Sequence, residues 1–532
     1  MLHNANKIIR DFHRFKTTNL KMNTEATYFI KENFQTIPFV DIIMPYTCSF
    51  ISNSNIELSI LKDKLHTKLL EELSVIAEPT LQFELDSFVK NGNDDYNLFV
   101  DKMSMSIMND FPVLDNLLKI KTENFSKHIN NIISRFYKDR EIIEFTFILN
   151  DIRIVDIDVS LGDGHKGEGT SMVYLSNEKK LIYKPRNINI VSSYNSFIDW
   201  INDKLETDLK TFQILDCGDY GWLEFVNNDE ANSKEDLQEY YFKAGMLLAV
   251  TFLLGSKDCH RENIIASGKN PVMIDHETII QPFLASQSVE RSWDESQKIP
   301  LFSVLESVLI VNSNTKVPID CTGYGVRGNL HVTDFGKKIV NPNTINSKRV
   351  TRFITRELVE KNIPVYNENR VFVNDYAKNF VDGFSLTYDL FTNSKEELKS
   401  SVSPINSFKN QEARYVWRPT FVYFNILRYM RSPTLMSSHE NYNSKLKELL
   451  SKAYRADSMK NYKFIMDFEI QQMLNGDIPI FSLSSLDNYL EGNESFKIFE
   501  YNCIDNIIKR IDILSPDHKK EQLEFIHRWV TI

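Results

Sequence analysis

The sequence has no CxxC pair. Its five cysteines, Cys48, Cys217, Cys259, Cys321 and Cys503, are scattered, which argues against a disulfide framework and against a cysteine zinc site. A reducing cytoplasm is the compartment this usage fits. No run approaches the roughly 20 apolar residues that cross a bilayer. The N-terminus, MLHNANKIIRDFHRF, is polar, so a soluble intracellular protein is expected. Nor is there an excess of positive charge: 62 Lys and Arg stand against 72 Asp and Glu, a net charge of −10. That balance disfavours a generic nucleic-acid binder, although a local basic groove is compatible with it. Internal repeats and low-complexity tracts are not evident, and the frequent Asn and Lys read as compositional drift. What is present is length: 532 residues suffice for two to four domains with ample core.

The hydrophobic period changes along the chain and marks its organisation. Leu58, Leu61, Leu65, Leu69, Leu73 and Ile76 recur every three or four residues, and Pro79 is placed to start a second helix carrying Leu81, Leu85 and Phe88. Residues 1–135 read as a helical region. From about residue 141 the pattern turns strand-like, through EFTFIL, IRIVDIDVSL, TSMVYL, the turn SNEK, KLIYKP and, after a helix, FQILD and WLEFV. A small antiparallel sheet is expected there. The tetrapeptide SKED at Ser233 has the form of a capping box and leads into the largely apolar helix DLQEYYFKAGMLLAVTFLLG. Residues 300–400 mix short strands with loops such as DCTGYGVRGN, and the chain returns to helix from about 412, with KLKELLSKAY and KFIMDFEIQQML.

Two stretches carry chemistry. In GDGHKGEG, between two of the strands, Gly162, Gly164, Gly167 and Gly169 allow the backbone to curl and present N–H groups to an anion. By itself such a tip is an ordinary turn, and its spacing matches neither the Walker A nor the protein-kinase loop. The next hairpin ends in YKPR, and Lys184 in that apolar strand sits where a kinase small lobe puts the lysine that holds nucleotide phosphates. The plainer reading of Lys184 is a snorkelling edge-strand lysine. The second stretch is KDCHRENIIASGKNPVMIDHETI. It sets Asp258, His260 and Asn263 on a loop before a hairpin and Asp275 and Glu277 after it. Phosphoryl transfer needs Mg²⁺, a hard cation that takes oxygen ligands, and Asn263 and Asp275 supply such oxygens. Asp258 would accept or orient the proton of an attacking hydroxyl. Taken singly, His260 reads equally well as a helix-end cap and DHE as a solvated turn. The ordered set reads as an atypical kinase fold.

These residues also carry a family resemblance. GDGHKGEG followed by LIYKPR, then KDCHRENIIASGKNPVMIDHE, RYVWRPT and LNGDIPIFS, is similar to the dehydratase half of class II lanthipeptide synthetases, the LanM type, from about residue 140 onward. The resemblance implies an α+β fold with a lipid-kinase-like bilobal core elaborated by helices. It implies ATP and Mg²⁺ as cofactors and a leader-bearing precursor peptide as partner. The implied reaction is dehydration of Ser and Thr by phosphorylation and then phosphate elimination. Carried over by position, Lys184, Asp258, His260, Asn263, Asp275 and Glu277 match the phosphorylation and nucleotide-metal set. Asp163, His165, Arg414 and Thr420 match the set associated with elimination. Chemically, elimination removes a weakly acidic Cα proton and eases phosphate departure. An arginine can grip that phosphate and a hydroxyl can hydrogen-bond it. Whether His165 or Asp163 acts as base is left open.

On this reading the chain divides into a helical region (1–135), a kinase-like small lobe with the glycine-rich hairpin (136–230), a large lobe with the catalytic loop and metal-binding hairpin (231–410), and a helical region carrying RYVWRPT (411–532). Two departures limit the resemblance. The cysteines offer no site like that of the family's zinc cyclase, so ring closure is not expected of this chain, and SVLIVNSNTK lacks the family's usual glycine-leucine-proline ending. A stand-alone dehydratase working with a separate cyclase or other tailoring enzyme, and a split or decayed synthetase, are both compatible with this. An atypical kinase without elimination, acting on a peptide or a small molecule, is the alternative function, and a pseudokinase scaffold is a third.

Overall fold

The computed structural model describes residues 34–531 except 54–58, 160, 162–163, 166, 285–298, 312–320, 326–330, 358–360, 456–458 and 493–495. Leucines at helical spacing form α1 (Ser59–Lys90), with Leu61, Leu65, Leu69, Leu73, Leu81 and Leu85 buried along one face. Pro79 lies inside this helix and starts no second one. A mid-helix proline removes one N–H and frees the carbonyl four residues back. That carbonyl, on Val75, is approached at 3.5 Å by the Arg431 guanidinium. Helices α2 (Tyr96–Asp110) and α3 (Pro112–Thr146) follow. EFTFIL, expected as a strand, is the end of α3 and the turn after it. Buried Phe136 and Ile143 keep helical spacing up to that point, so the 3.6-residue period outlasts the local run of β-formers.

The expected antiparallel sheet is present. Its strands β1 (Ile154–Asp158), β2 (Ser171–Leu175), β3 (Lys180–Lys184), β4 (Ile214–Asp216) and β5 (Gly221–Glu224) lie in the order β1-β2-β3-β5-β4, and α4 (Asn189–Leu205) connects β3 to β4. Side chains alternate between the faces of a strand. Tyr183 and its cross-strand partner Trp222 therefore share the face covered by α3, where Asp139 accepts from Trp222 Nε1 at 3.1 Å and from Tyr220 Oη at 2.8 Å. Lys184, opposite Gly221, projects from the other face.

Ser233 caps α5 (Lys234–Leu254) by accepting from the Asp236 N–H at 3.0 Å, as SKED suggests. The short hairpin β6 (Ile264–Ser267) and β7 (Asn270–Met273) follows. The region 300–400 has the short strands expected there at Val365–Tyr366 and Asn369–Arg370, and two longer elements that were not expected. It holds a long hairpin, β8 (His331–Val340) and β9 (Lys348–Glu357), and then α6 (Ala377–Asn393). The chain from 412 begins with β10 (Glu412–Tyr415), which pairs with β11 (Phe481–Ser484), and between them run α7 (Thr420–Met430), α8 (His439–Ser451) and α9 (Ile465–Met473). α10 (Cys503–Ile513) and α11 (Pro516–Val530) close the chain. The fold is thus mixed α+β, with small antiparallel sheets between helical N-terminal and C-terminal regions. All five cysteines are free thiols. Among the described residues no helix is long and apolar enough to cross a membrane.

α5 and α6 cross at two reciprocal glycines. A Cβ on Gly245 would lie 1.9 Å from the Phe380 carbonyl oxygen, and one on Gly383 would lie 1.9 Å from that of Phe242. Neither backbone can yield without moving a helix. Gly245→Ala and Gly383→Ala are each expected to lower stability by about 1–3 kcal/mol, read as a fall in the thermal unfolding midpoint. An unchanged midpoint in both would show that the crossing has room to spare.

Candidate active site

The ammonium of Lys184 leaves the sheet and meets two carboxylates from the segment after β7. Its Nζ lies 3.0 Å from Asp275 Oδ1 and 3.7 Å from Glu277 Oε1. The Lys184 side chain is only 7% exposed, so the bland snorkelling reading does not hold. Burial alone would lower its pKa, but Asp275 and Glu277 outweigh burial and hold it above the usual lysine value. Asp275 shows the converse. Burial would raise it, and Lys184, Arg414 and Arg186 hold it below the carboxylate range. Glu277 is shared further: Arg186 Nη1 donates to Oε2 at 2.6 Å and Arg414 Nη1 lies 3.5 Å from the same oxygen. The Arg414 backbone N–H also donates to the Glu277 carbonyl at 2.8 Å. Lys184, Asp275, Glu277 and Arg414 are thereby brought into one cluster. Arg186 belongs to it as well and was missed in the sequence, although YKPR displays it two residues beyond Lys184.

The loop after α5 is zipped to the same segment. Ser256 Oγ donates to the Ile279 carbonyl at 2.5 Å, the Lys257 N–H donates to the Thr278 carbonyl at 3.2 Å, and Thr278 Oγ1 donates to the Lys257 carbonyl at 2.7 Å. On the far side the Cys259 N–H donates to the Ser307 carbonyl at 2.9 Å. Between these ties Asp258 is held at φ +62°, a left-handed conformation that costs a non-glycine residue about 1 kcal/mol or more and clusters at functional sites. Asn263 Nδ2 donates to the Asp258 carbonyl at 2.8 Å, which leaves Oδ1 as the oxygen available to a cation. The β6–β7 ladder places Asn263 beside the strand end that leads to Asp275, and the Ile274 N–H donates to the Asn263 carbonyl at 2.9 Å. His260 Nδ1 accepts from the Glu262 N–H at 3.2 Å, so it caps the single turn Arg261–Asn263. Its Nε2 lies 3.9 Å from Asp258 Oδ1.

Between the two carboxylates, His276 turns the other way. It is fully buried, with its ring 4.5 Å from Tyr194 of α4 and 5.2 Å from Phe212. Burial pushes its pKa down to about 3, so the ring is a neutral anchor for the loop. DHE is no solvated turn.

Of the glycine-rich tip, Gly162 and Asp163 lie outside the described residues. Gly164 is exposed. His165 is buried and its Nδ1 lies 2.8 Å from the Ile478 carbonyl. That contact draws in LNGDIPIFS, a stretch whose sequence alone points to no site residue. The same motif continues into β11, where Ser482 is the register partner of Arg414. Thus the histidine of the glycine turn and the arginine of RYVWRPT rest on one segment. Thr420 is the first residue of α7, after Pro419 at the cap position. Among the described residues it takes no part in the hydrogen bonds of the Lys184 cluster. Nor is any group of three or more His, Cys, Asp or Glu side chains placed to hold a metal among them. The Asn263–Asp275 pair is instead one amide oxygen and one carboxylate.

Behind the glycine turn a cavity of about 70 Å³ is lined by Lys121, Asn124, Gly167, Gly476 and Asp477. Burial pushes the Asp477 carboxyl up to about 6, against the pull of Lys121 and the Gly167 N–H. A raised folded-state pKa means stabilisation that is complete below the unfolded value near 3.8 and is lost as pH rises through about 6. Asp477→Asn mimics the protonated acid. It is expected to match the parent near pH 4 and to exceed it at pH 8, by on the order of 2–3 kcal/mol, in chemical denaturation at the two pH values. A pH-independent difference would contradict this.

The profile of a family described as a domain of unknown function (DUF4135) matches residues 111–484, from the start of α3 through β11. The sequence is 26% identical over 411 residues to the lacticin 481/lactococcin biosynthesis protein LcnDR2 of Lactococcus lactis subsp. lactis. That alignment covers 74% of this chain and 43% of the relative, so the chain spans less than half of that protein's length.

Proposed function

The chain belongs to the DUF4135 family and is similar to LanM-type proteins in the dehydratase region, and on that footing we propose that it dehydrates Ser and Thr in a leader-bearing precursor peptide. ATP-dependent phosphorylation precedes phosphate elimination, giving dehydroalanine or dehydrobutyrine. The observation that carries this reading is the cluster of buried Lys184 with the part-buried Asp275 and Glu277 beside the strained Asp258 loop. The five-stranded sheet acts as the small lobe and α5 with the β6–β7 hairpin as the core of the large lobe of a lipid-kinase-like enzyme.

The residues fit ATP and Mg²⁺. Asn263 Oδ1 and the Asp275 carboxylate are the oxygens that would hold the cation, which would supply charge neutralisation for the phosphates. Lys184 and Arg186 bind phosphate oxygens, and Glu277 orients both by ion pairing. Asp258 takes the proton of the attacking hydroxyl, with His260 Nε2 beside it. In the second step the Cα proton is removed, the Cα–Cβ double bond forms and the Cβ–O bond breaks, the electron pair leaving with phosphate. Arg414 and Thr420 hold that departing phosphate. His165 and Asp163 stand as candidates for the proton transfers. The precursor peptide is the partner, and a separate cyclase or other tailoring enzyme would act on the product.

A second reading, a kinase that stops at phosphorylation, is favoured by one observation: Arg414 is already paired with Glu277. Intact-peptide mass spectrometry with a leader-bearing Ser/Thr precursor separates the two. Lys184→Ala, Asn263→Ala and Asp275→Ala are expected to give neither phosphopeptide nor dehydrated peptide, and so is the parent when Mg²⁺ is chelated. Thr420→Ala is expected to accumulate phosphopeptide, with elimination slowed on the order of 10² to 10³. Arg414→Ala should slow both steps, and Arg414→Lys should restore the first. Stable phosphopeptide from the parent enzyme selects the kinase; unchanged phosphorylation in the first three variants rejects both readings.

A further inference from the structure

The β8–β9 hairpin is built unlike the rest of the molecule. Ten register pairs join its strands, and they form a sheet of two, with no third strand on either edge among the described residues. Thr351, Arg352 and Phe353 are successive and all exposed, so both faces of the ribbon meet solvent, and Phe353 is 69% exposed. A two-stranded ribbon with open faces is marginal by itself and gains from a third strand. Its ends are fixed at opposite sites. At the tip, Asn343 Nδ2 donates to the Gln35 and Ile37 carbonyls, both at 2.9 Å, and Arg349 pairs with Glu78 of α1. At the other end, the segment that follows β9 meets the β6–β7 hairpin, where the Ala266 N–H donates to the Lys361 carbonyl at 2.7 Å; earlier in the chain Thr322 bridges His260, and the Arg261 N–H donates to the Cys321 carbonyl at 3.1 Å.

The charge of this ribbon opposes that of the chain. Residues 331–357 carry six Lys and Arg against two acids, Asp334 and Glu357, at the end away from the tip, within a sequence whose net charge is −10. Lys337, Lys338, Lys348 and Arg352 are exposed. Among the described residues none of these four has a carboxylate partner. Edge lysines alone serve to block unwanted strand pairing. Here they accompany a net-positive ribbon whose base adjoins the β6–β7 hairpin, with an exposed phenylalanine among the cations.

We propose that an acidic, extended segment of the peptide substrate docks on this hairpin as an added third strand. Main-chain hydrogen bonds supply affinity and the cations and Phe353 supply selectivity for alternating acidic and apolar side chains. That the guest belongs to the substrate rests on the peptide-modifying reading above; the strand addition does not. Fixed at the root of the hairpin, such a segment is tethered near Asp258 and raises the local concentration of the residues to be modified.

The test is fluorescence anisotropy, without nucleotide, using a labelled peptide of about ten residues that alternates Glu and Val. Comparators are the Lys/Val peptide and a Glu/Val peptide interrupted by proline, which cannot donate along a ladder. The expected result is binding of the Glu/Val peptide alone, weakened by salt and at least tenfold weaker with Lys337→Glu/Lys338→Glu/Arg352→Glu. Hydrogen exchange should show new protection within 336–353. No binding, equal binding of the proline-interrupted peptide, equal binding to the triple variant or absence of protection in 336–353 overturns the proposal. With a leader-bearing precursor, the triple variant should raise KM at least tenfold and leave kcat unchanged; an unchanged KM overturns the assignment to substrate. A parent that binds the Glu/Val peptide but modifies no precursor rejects the dehydratase reading and, with it, the assignment to substrate, while the strand addition stands.

Discussion

A lysine ammonium carried into a protein interior must find carboxylates, because an unpaired buried charge costs more than most folds can offset. Lys184 is such a group, and the architecture around the site follows from satisfying it. Its strand is central in the sheet, so its backbone is fixed by neighbours on both sides. Its partners arrive on the segment after the β6–β7 hairpin. Bringing two negative charges to one ammonium leaves negative charge over, and Arg186 and Arg414 meet it at Glu277. Through Arg414 the C-terminal region is drawn onto the site. The cluster holds three cations and two carboxylates, a surplus of positive charge suited to a polyanionic guest.

The strain at Asp258 depends on the same segment. A left-handed aspartate persists only where its neighbours leave it no choice. Ser256, Lys257 and Cys259 are each tied by hydrogen bonds, two of them to the segment that carries Asp275 and Glu277. Loop and carboxylate segment therefore move as one piece. His276 pins that piece beneath α4 with an uncharged ring, so the anchor adds no field of its own to the cluster.

The sheet, the long leucine helices and the capped α5 were legible in the sequence because each has a local signal: period, cap or turn. The order of glycine turn, strand lysine, loop and hairpin carried most of the site as well. What was not legible depends on distant partners. Pro79 sits inside a helix because tertiary packing overrides the local break and Arg431 approaches the carbonyl it frees. EFTFIL completes a helix because residues before it, not within it, set the period. Arg186 was visible in YKPR but has meaning only once Glu277 stands opposite. Gly245 and Gly383 look like mild helix defects until the two helices are seen to cross there. LNGDIPIFS displays no nucleophile or metal ligand pattern, and its place under His165 and beside Arg414 is a matter of pairing that no local pattern announces.

That pairing bears on how the chain can vary in length. The residues that face Arg414 are set by the β10–β11 ladder, and the side-chain period of a strand is two, so inserting or deleting one residue in 478–484 would break the register opposite Arg414 or detach the support of His165. The helices between the strands are under no such rule. The exposed turns between them can lengthen or shorten while the ladder stays in register, provided that Thr420 and the buried Glu469, which binds Arg418, Tyr423 and Tyr454, keep their places, whereas 478–484 tolerates no change of length.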